Sequence, residues 1–163
     1  MRLMPAAPRV MFDTSLVGAY LFPEADSSLA QAAFRTFFEH RCLACVPSLF
    51  WAELQQLCHL KRQRDPSLDV NVHYSYALSL GLLELPEDVF SAAFRSQVWY
   101  WMGRLRLGPS DDYFVGSYDC YYLSVALQLG VCLWTLDRNF RDRAHTDPAL
   151  IPVVLQVGRD VQP

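Results

Sequence analysis

Four of the seventeen acidic residues stand apart by what surrounds them. Asp13 follows the apolar run Val10-Met11-Phe12 and precedes Thr14-Ser15. Glu53 lies in Phe50-Trp51-Ala52-Glu53-Leu54. Asp119 lies in Ser117-Tyr118-Asp119-Cys120-Tyr121-Tyr122-Leu123, and Asp137 closes the apolar Val131-Cys132-Leu133-Trp134-Thr135-Leu136. An ionised carboxylate in such company is costly unless it is paired or binds a cation. No lysine is near Asp13, Glu53 or Asp119 in sequence. Gathered together, these acids would form a pocket of oxygen ligands, which suits Mg2+ or Mn2+ far better than zinc. Singly, Asp119 also reads as a favourable first-turn charge, Asp137 as a turn residue, and Asp13 as a nucleophile, ligand or turn residue. A mid-helix acid on an apolar face, such as Glu53, has no routine structural job.

The elements that would position these acids alternate in type, which predicts an α/β sheet with helices on both faces. Strands are expected at Arg9 to Phe12, Leu43 to Val46, Leu82 to Leu85, Val131 to Thr135 and Ile151 to Leu155. Helices are expected at Ser15 to Phe22, Asp26 to His40 (Asp26 or Ser27 as cap), and Ser48 to about Arg62 with Ser48 as N-cap. Leu29, Ala32, Ala33 and Phe37 mark the buried face of the second of these, and Leu49, Ala52, Leu57 and Leu60 that of the third. Further helices are expected at Asp69 to Leu80, Pro86 to about Arg106, and Tyr118 to about Leu129, the last ended by Gly130. In the long one, Phe90, Phe94, Val98, Trp101 and Leu105 recur at helical spacing, as core or dimer surface does. Leu107 to Gly116 reads as a loop. A strand that delivers Asp13 at its carboxyl end places it where open α/β sheets bind ligands.

Bulk properties narrow the classes. At 163 residues, 52% hydrophobic and 19% charged, the chain reads as one globular domain over residues 1–163. No apolar run approaches the ~20 residues that span a bilayer. The start lacks a secretory-type apolar segment, so a cytoplasmic protein is expected, without a membrane partner. A net charge of −3 makes any polyanion binding depend on a local patch. Lys61 is the one lysine among 14 basic residues; the arginines suit bidentate phosphate contact, although a GC-rich genome would produce the same bias. Cys42-Leu43-Ala44-Cys45 makes a CxxC, but no second pair accompanies it, and the five cysteines read as buried small hydrophobes.

The motif blocks carry a family resemblance. The apolar strand ending in Asp13-Thr14-Ser15, then Pro47-Ser48 with Ala52-Glu53-Leu54, then Tyr118-Asp119-Cys120-Tyr121-Tyr122-Leu123-Ser124-Val125-Ala126, then Leu133-Trp134-Thr135-Leu136-Asp137-Arg138-Asn139-Phe140 resemble the PIN-domain ribonucleases. The likeness is to the VapC-like toxins of type II toxin–antitoxin modules above all, from residue 10 to about 156. It implies a PIN-like three-layer α/β/α sandwich with a central, mainly parallel sheet of four to five strands. It further implies a ribonuclease dependent on Mg2+ or Mn2+, with Asp13, Glu53, Asp119 and Asp137 as catalytic acids. Asp13, Asp119 and Asp137 would ligate the metal, Glu53 would order the shell, and Thr14, Ser15 and Thr135 would line the pocket. Two departures stand out: Cys120 replaces a small residue, and the segment from Asp65 to Gly116 is longer and more aromatic than in many short toxins.

In that reading RNA is held by Arg138, Arg141 and Arg143 beside Asp137, with Lys61, Arg62 and Arg64 next. The partners implied are RNA, a cognate antitoxin and a second copy of the chain. The alternative is a catalytically silent PIN-like module that binds RNA or protein. Phosphotransfer folds fit less well: Ser15 stands where a haloacid dehalogenase needs a second acid, and receiver domains need an acidic pair and a late lysine. None of His40, His59, His73 and His145 sits in the acidic blocks, which argues against a histidine-based ribonuclease.

Overall fold

Five short strands form the centre of the protein, and their apolar side chains are the reason. The computed structural model describes residues 8–85, 91–105 and 117–161. Among these, β1 (Arg9–Phe12), β2 (Leu43–Pro47), β3 (Leu83–Leu85), β4 (Cys132–Thr135) and β5 (Val154–Gln156) form one sheet. Every pairing is parallel, in the order β3-β2-β1-β4-β5. Such a sheet is covered on both faces, so its strands are near-continuous apolar runs rather than alternating ones. Met11, Phe12, Ala44, Cys45, Val46 and Leu133 are accordingly buried.

The connections are helical: α1 (Thr14–Leu21), α2 (Ser27–Glu39), α3 (Leu49–Arg64), α4 (Val70–Ser79), α5 (Ala92–Arg104), α6 (Ser117–Leu129) and α7 (Arg138–Ala144). The chain winds outward from β1 to β2 and β3, then returns to the other side of β1 for β4 and β5. With right-handed crossovers, that reversal puts α1–α4 on one face and α5–α7 on the other. The point of reversal lies between β1 and β4, where a crevice opens beyond the strands' carboxyl ends. Asp13 and Asp137 follow those two strands.

Packing on either side fixes the helices. Phe12 meets Phe34 and Phe37 edge-on, at centroid distances of 5.1 and 5.3 Å. Gly18 lets α1 approach α3 closely, because a Cβ there would lie 2.4 Å from Leu57 Cδ2. On the other face, α6 buries Cys120, Tyr122, Leu123, Ser124, Val125 and Ala126. Gly130, at φ +64°, ends that helix in the left-handed region.

Several sequence expectations need correction. The buried stripe of α3 is Phe50, Leu54 and Cys58, while Leu60 is exposed. Phe50, Leu54 and Cys58 fall at i, i+4 and i+8 on the one stripe that meets the core, so the helix is rotated relative to the expected face. Ser48 precedes α3 without a side-chain capping bond, and so does Asp26 before α2. The segment after Asp137, which carries no expected element, is helix α7, with the Asp137 carboxylate accepting from Phe140 N at 2.9 Å. The last strand begins later than expected, after a 3-10 turn at Pro148–Leu150. Phe94, Trp101 and Leu105 of the aromatic stripe are buried, but Trp99 and Tyr100 are exposed. Phe90, the expected helix start at Pro86 and the Leu107–Gly116 loop lie outside the described residues.

All five cysteines are free, and Cys45, Cys58 and Cys120 are buried. Burial pushes the Cys120 thiol up to about 12, with the Asp119 charge adding to it, which makes it a poor nucleophile. Among the described residues, no helix is long and apolar enough to cross a membrane.

Candidate active site

The four acids separated in sequence line one cavity of about 210 Å³. Asp13 and Asp137 come from the carboxyl ends of β1 and β4, Glu53 from the first turns of α3, and Asp119 from the first turn of α6. Thr14, Ser15, Tyr122 and Phe140 complete the walls. Among the described residues, no basic side chain lines this cavity.

The two strand ends are stapled together by hydroxyls. Asp13 N donates to Trp134 O at 3.2 Å, which extends the β1–β4 pairing by one residue. Ser15 Oγ donates to Asp13 Oδ1 at 2.6 Å and accepts from Leu136 N at 3.1 Å, so it belongs to both corners. Asp13 Oδ1 also accepts from Leu16 N at 3.0 Å and thereby caps α1. Thr135, fully buried behind the cavity, accepts from Asp137 N at 2.9 Å and lies 3.5 Å from Ser15 Oγ. Thr14 and Ser15 reach the cavity itself; Thr135 supports it from beneath.

Glu53 is held by a second cluster. Thr14 Oγ1 donates to Glu53 Oε2 at 2.6 Å, and Tyr122 OH donates to the same oxygen at 2.8 Å. The two hydroxyl oxygens are themselves 2.8 Å apart. Tyr122 is 2% exposed, and burial first, then the Glu53 charge, pushes its phenol far up, so it remains a donor. Sequence reading placed Tyr122 in a motif block without giving it a role. Its position three residues after Asp119 on a helix was the available signal, since i and i+3 share a face.

Electrostatics set Asp13 apart. Burial pushes its carboxyl up from 3.8 to about 6, bonds from Ser15, Thr135 and Leu16 N oppose the rise, and the Glu53 charge adds to it. The donor set is hard oxygen throughout, without sulfur or nitrogen, which fits a Mg2+- or Mn2+-like ion. Among the described residues, no three acidic, histidine or cysteine side chains are drawn tightly enough together to hold an ion by themselves. A small hard cation that keeps several of its waters needs only a few direct carboxylate ligands.

The arginines are distributed differently from the sequence expectation. Arg141 donates to Asp160 through Nε at 2.7 Å and Nη2 at 2.5 Å, and through Nη1 to Asp142 at 2.8 Å. It thus clips α7 to the turn after β5. Arg143 is half-buried, and Arg138 is exposed on the wall of a neighbouring cleft. None of the three lines the acidic cavity. Lys61 pairs with Glu24 near Phe22.

Known proteins share this outline. Residues 10–145 match the sequence profile of the PIN domain family. No curated protein sequence matches the chain. Among solved structures, VapC20 of Mycobacterium tuberculosis, a toxin that cleaves the sarcin–ricin loop, is similar at 16% identity and a TM-score of 0.55, covering 80% of this chain and 92% of that one. PAE2754 from Pyrobaculum aerophilum is similar at 20% identity and a TM-score of 0.54, covering 85% and 80%. At these identities the two structures speak to the fold, while the profile spans most of the chain, including all four acids. The chain belongs to the PIN-domain family.

Proposed function

We propose that this protein is a divalent-metal-dependent ribonuclease that cleaves RNA phosphodiester bonds. The observation that carries the reading is the single cavity lined by Asp13, Glu53, Asp119 and Asp137. Carboxylates that face one cavity at the mouth of a parallel sheet repel the phosphate unless a cation joins them. Asp13, Asp119 and Asp137 would hold that cation. When bound, the ion supplies positive charge to the scissile phosphate and makes water acidic enough to attack.

The remaining work falls to the chain's own groups. Thr14 and Tyr122 fix Glu53 by donating to its Oε2, so this carboxylate meets the cation's shell in one orientation. Ser15 holds Asp13 against the β4 corner and keeps the two strand-end acids in register. Arg138, exposed next to Asp137, would meet the RNA backbone, whereas Arg141 is committed to Asp160 and Asp142. No nucleophilic side chain is needed.

The test is cleavage of single-stranded RNA by the purified protein with Mn2+, Mg2+ or EDTA. Cleavage with either metal and none with EDTA is expected. Equal RNA loss in all three, or none in any, would overturn the reading; the latter, without metal binding by titration, favours a silent binding module. Removing the Tyr122 hydroxyl probes the positioning role. Tyr122→Phe is expected to weaken Mn2+ binding by about 10–100-fold and to cost about 1–2 kcal/mol in urea unfolding. Unchanged metal affinity would reduce Tyr122 to a core residue.

The toxin assignment rests on the resemblance of the motif blocks to VapC-like proteins and brings a cognate antitoxin and a homodimer with it. Trp99 and Tyr100, 74% and 58% exposed on α5, leave apolar surface for such partners. Growth arrest on expression, relieved by the product of an adjacent gene, is its test.

A further inference from the structure

A recess of about 350 Å³ opens beside the acidic cavity and shares Ser15 and Asp137 with it. Its size falls at the lower end of the roughly 300–1,000 Å³ of pockets that take small ligands. The lining is graded from inside to outside. Gly18 and Ala19 of α1 are buried, Leu57 of α3 and Leu136 after β4 are half-buried, and Glu24 and Asp26 are exposed. The interior is therefore apolar, and the mouth carries carboxylates. A Cβ on Gly18 would meet Leu57 Cδ2 at 2.4 Å, so packing against α3 holds this position to a residue without a side chain.

The two acids at the mouth differ. Glu24 is paired with Lys61 of α3. Asp26 precedes α2 without capping it, and among the described residues its carboxylate takes no hydrogen bond or ion pair. The segment that carries both is fixed all the same. Ser27 Oγ accepts from Glu24 N at 2.7 Å and donates to Phe22 O at 2.8 Å, and Ala30 N donates to Asp26 O at 3.0 Å. A rim set before binding lowers the ordering cost of a ligand.

We propose that this recess is a base-selecting subsite, which seats a guanine next to the scissile phosphate while Asp26 accepts from its N1–H and N2–H; the proposal rests on the ribonuclease reading above. A flat group with apolar faces and N–H donors along one edge fits an aliphatic interior with a carboxylate at its mouth. Phosphate does not, since no basic side chain lines the recess among the described residues. Unpaired RNA bases expose such edges to a protein. Guanine sets two N–H donors side by side, as arginine does towards a carboxylate, and both Asp26 oxygens can accept. Uracil sets its one ring N–H between two carbonyl oxygens, which a carboxylate repels. Asp137, common to recess and cavity, places the seated base beside the acids that would hold the cation.

The first test uses uncharged nucleosides and needs neither metal nor cleavage. The full chain, labelled with nitrogen-15, is titrated in EDTA with guanosine, inosine and uridine, and the amide signals of Gly18, Ala19 and Leu136 are followed by NMR. Guanosine is expected to shift them and uridine to leave them in place. Inosine, which lacks the N2 amino group, is expected to bind about tenfold more weakly than guanosine. Asp26→Asn is expected to weaken guanosine binding about tenfold, and Arg35→Ala, further along α2, to leave it as in wild type. In the second test, with Mn2+, an oligouridylate carrying one guanosine is expected to be cut beside that guanosine. Asp26→Asn is expected to lower this preference about tenfold. No shift with guanosine, equal binding of guanosine and inosine, or unchanged binding by Asp26→Asn overturns the proposal. Should Asp26→Asn fail to fold, the comparison of guanosine with inosine on the wild-type chain decides alone. Metal-dependent cleavage that ignores guanosine sinks the recess and spares the nuclease reading. Guanosine binding that depends on Asp26, in a protein that never cleaves RNA, sinks the nuclease reading and keeps the recess as a base site.

Discussion

Asp119→Asn is expected to lower metal-dependent RNA cleavage by a factor on the order of 10²–10³ while leaving the fold intact. Asn keeps the size and one oxygen of Asp, so α6 retains its packing through Cys120, Tyr122 and Leu123. What is lost is a negative charge at a cavity without a basic residue among its described walls, and with it the attraction for a divalent ion. Asp13→Asn is expected to act similarly on cleavage. Single-turnover assays with Mn2+, alongside metal titration by calorimetry, measure both effects. Cleavage by either variant at the wild-type rate would remove the acids from the chemistry.

The second large effect is on stability and belongs to Asp13 in the metal-free protein. Its carboxyl titrates at about 6 when folded, above the ordinary 3.8, because burial outweighs the bonds from Ser15, Thr135 and Leu16 N. The folded state therefore holds its proton over a range in which the unfolded chain has already released it. The contribution of Asp13 to stability is highest below about pH 4, falls as pH rises towards 6, and is level above. A shift from 3.8 to about 6 corresponds to a loss of ~3 kcal/mol across that window. Asp13→Asn, which cannot ionise, is expected to flatten this part of the profile, as is saturating Mn2+, which neutralises the carboxylate instead. Urea unfolding at several pH values between 4 and 7 in EDTA measures the slope. A flat wild-type profile would mean that Asp13 is better solvated or better paired than its burial implies.

These two effects have one origin. The groups that bind a cation strongly are those that pay for their charge when it is absent, so site and strain coincide at Asp13. Ser15 makes the arrangement tolerable by donating to the carboxylate while accepting from the next strand's corner.

Much of the fold was legible beforehand because its signals are local. The apolar run of β1, the Gly130 stop of α6 and the alternation of strands and helices are written in neighbouring residues, and an acid just past a buried strand marks its own importance. The start of α4 at the expected Asp69 is equally local, since its carboxylate accepts from Asn71 N and Val72 N and caps the helix. Tertiary structure decided the rest. The face of α3 depended on which neighbours awaited it, and Phe50, Leu54 and Cys58 won over the expected residues. Arg141 looked like a phosphate ligand until Asp160, nineteen residues on, was found holding it. The role of Tyr122 required Thr14 and Glu53 to meet it, at separations of 108 and 69 residues. The sequence alone singled out the four acids by their apolar neighbours. Only the reversal of strand order between β1 and β4 brought them to one cavity, because no local pattern encodes which strand ends become neighbours.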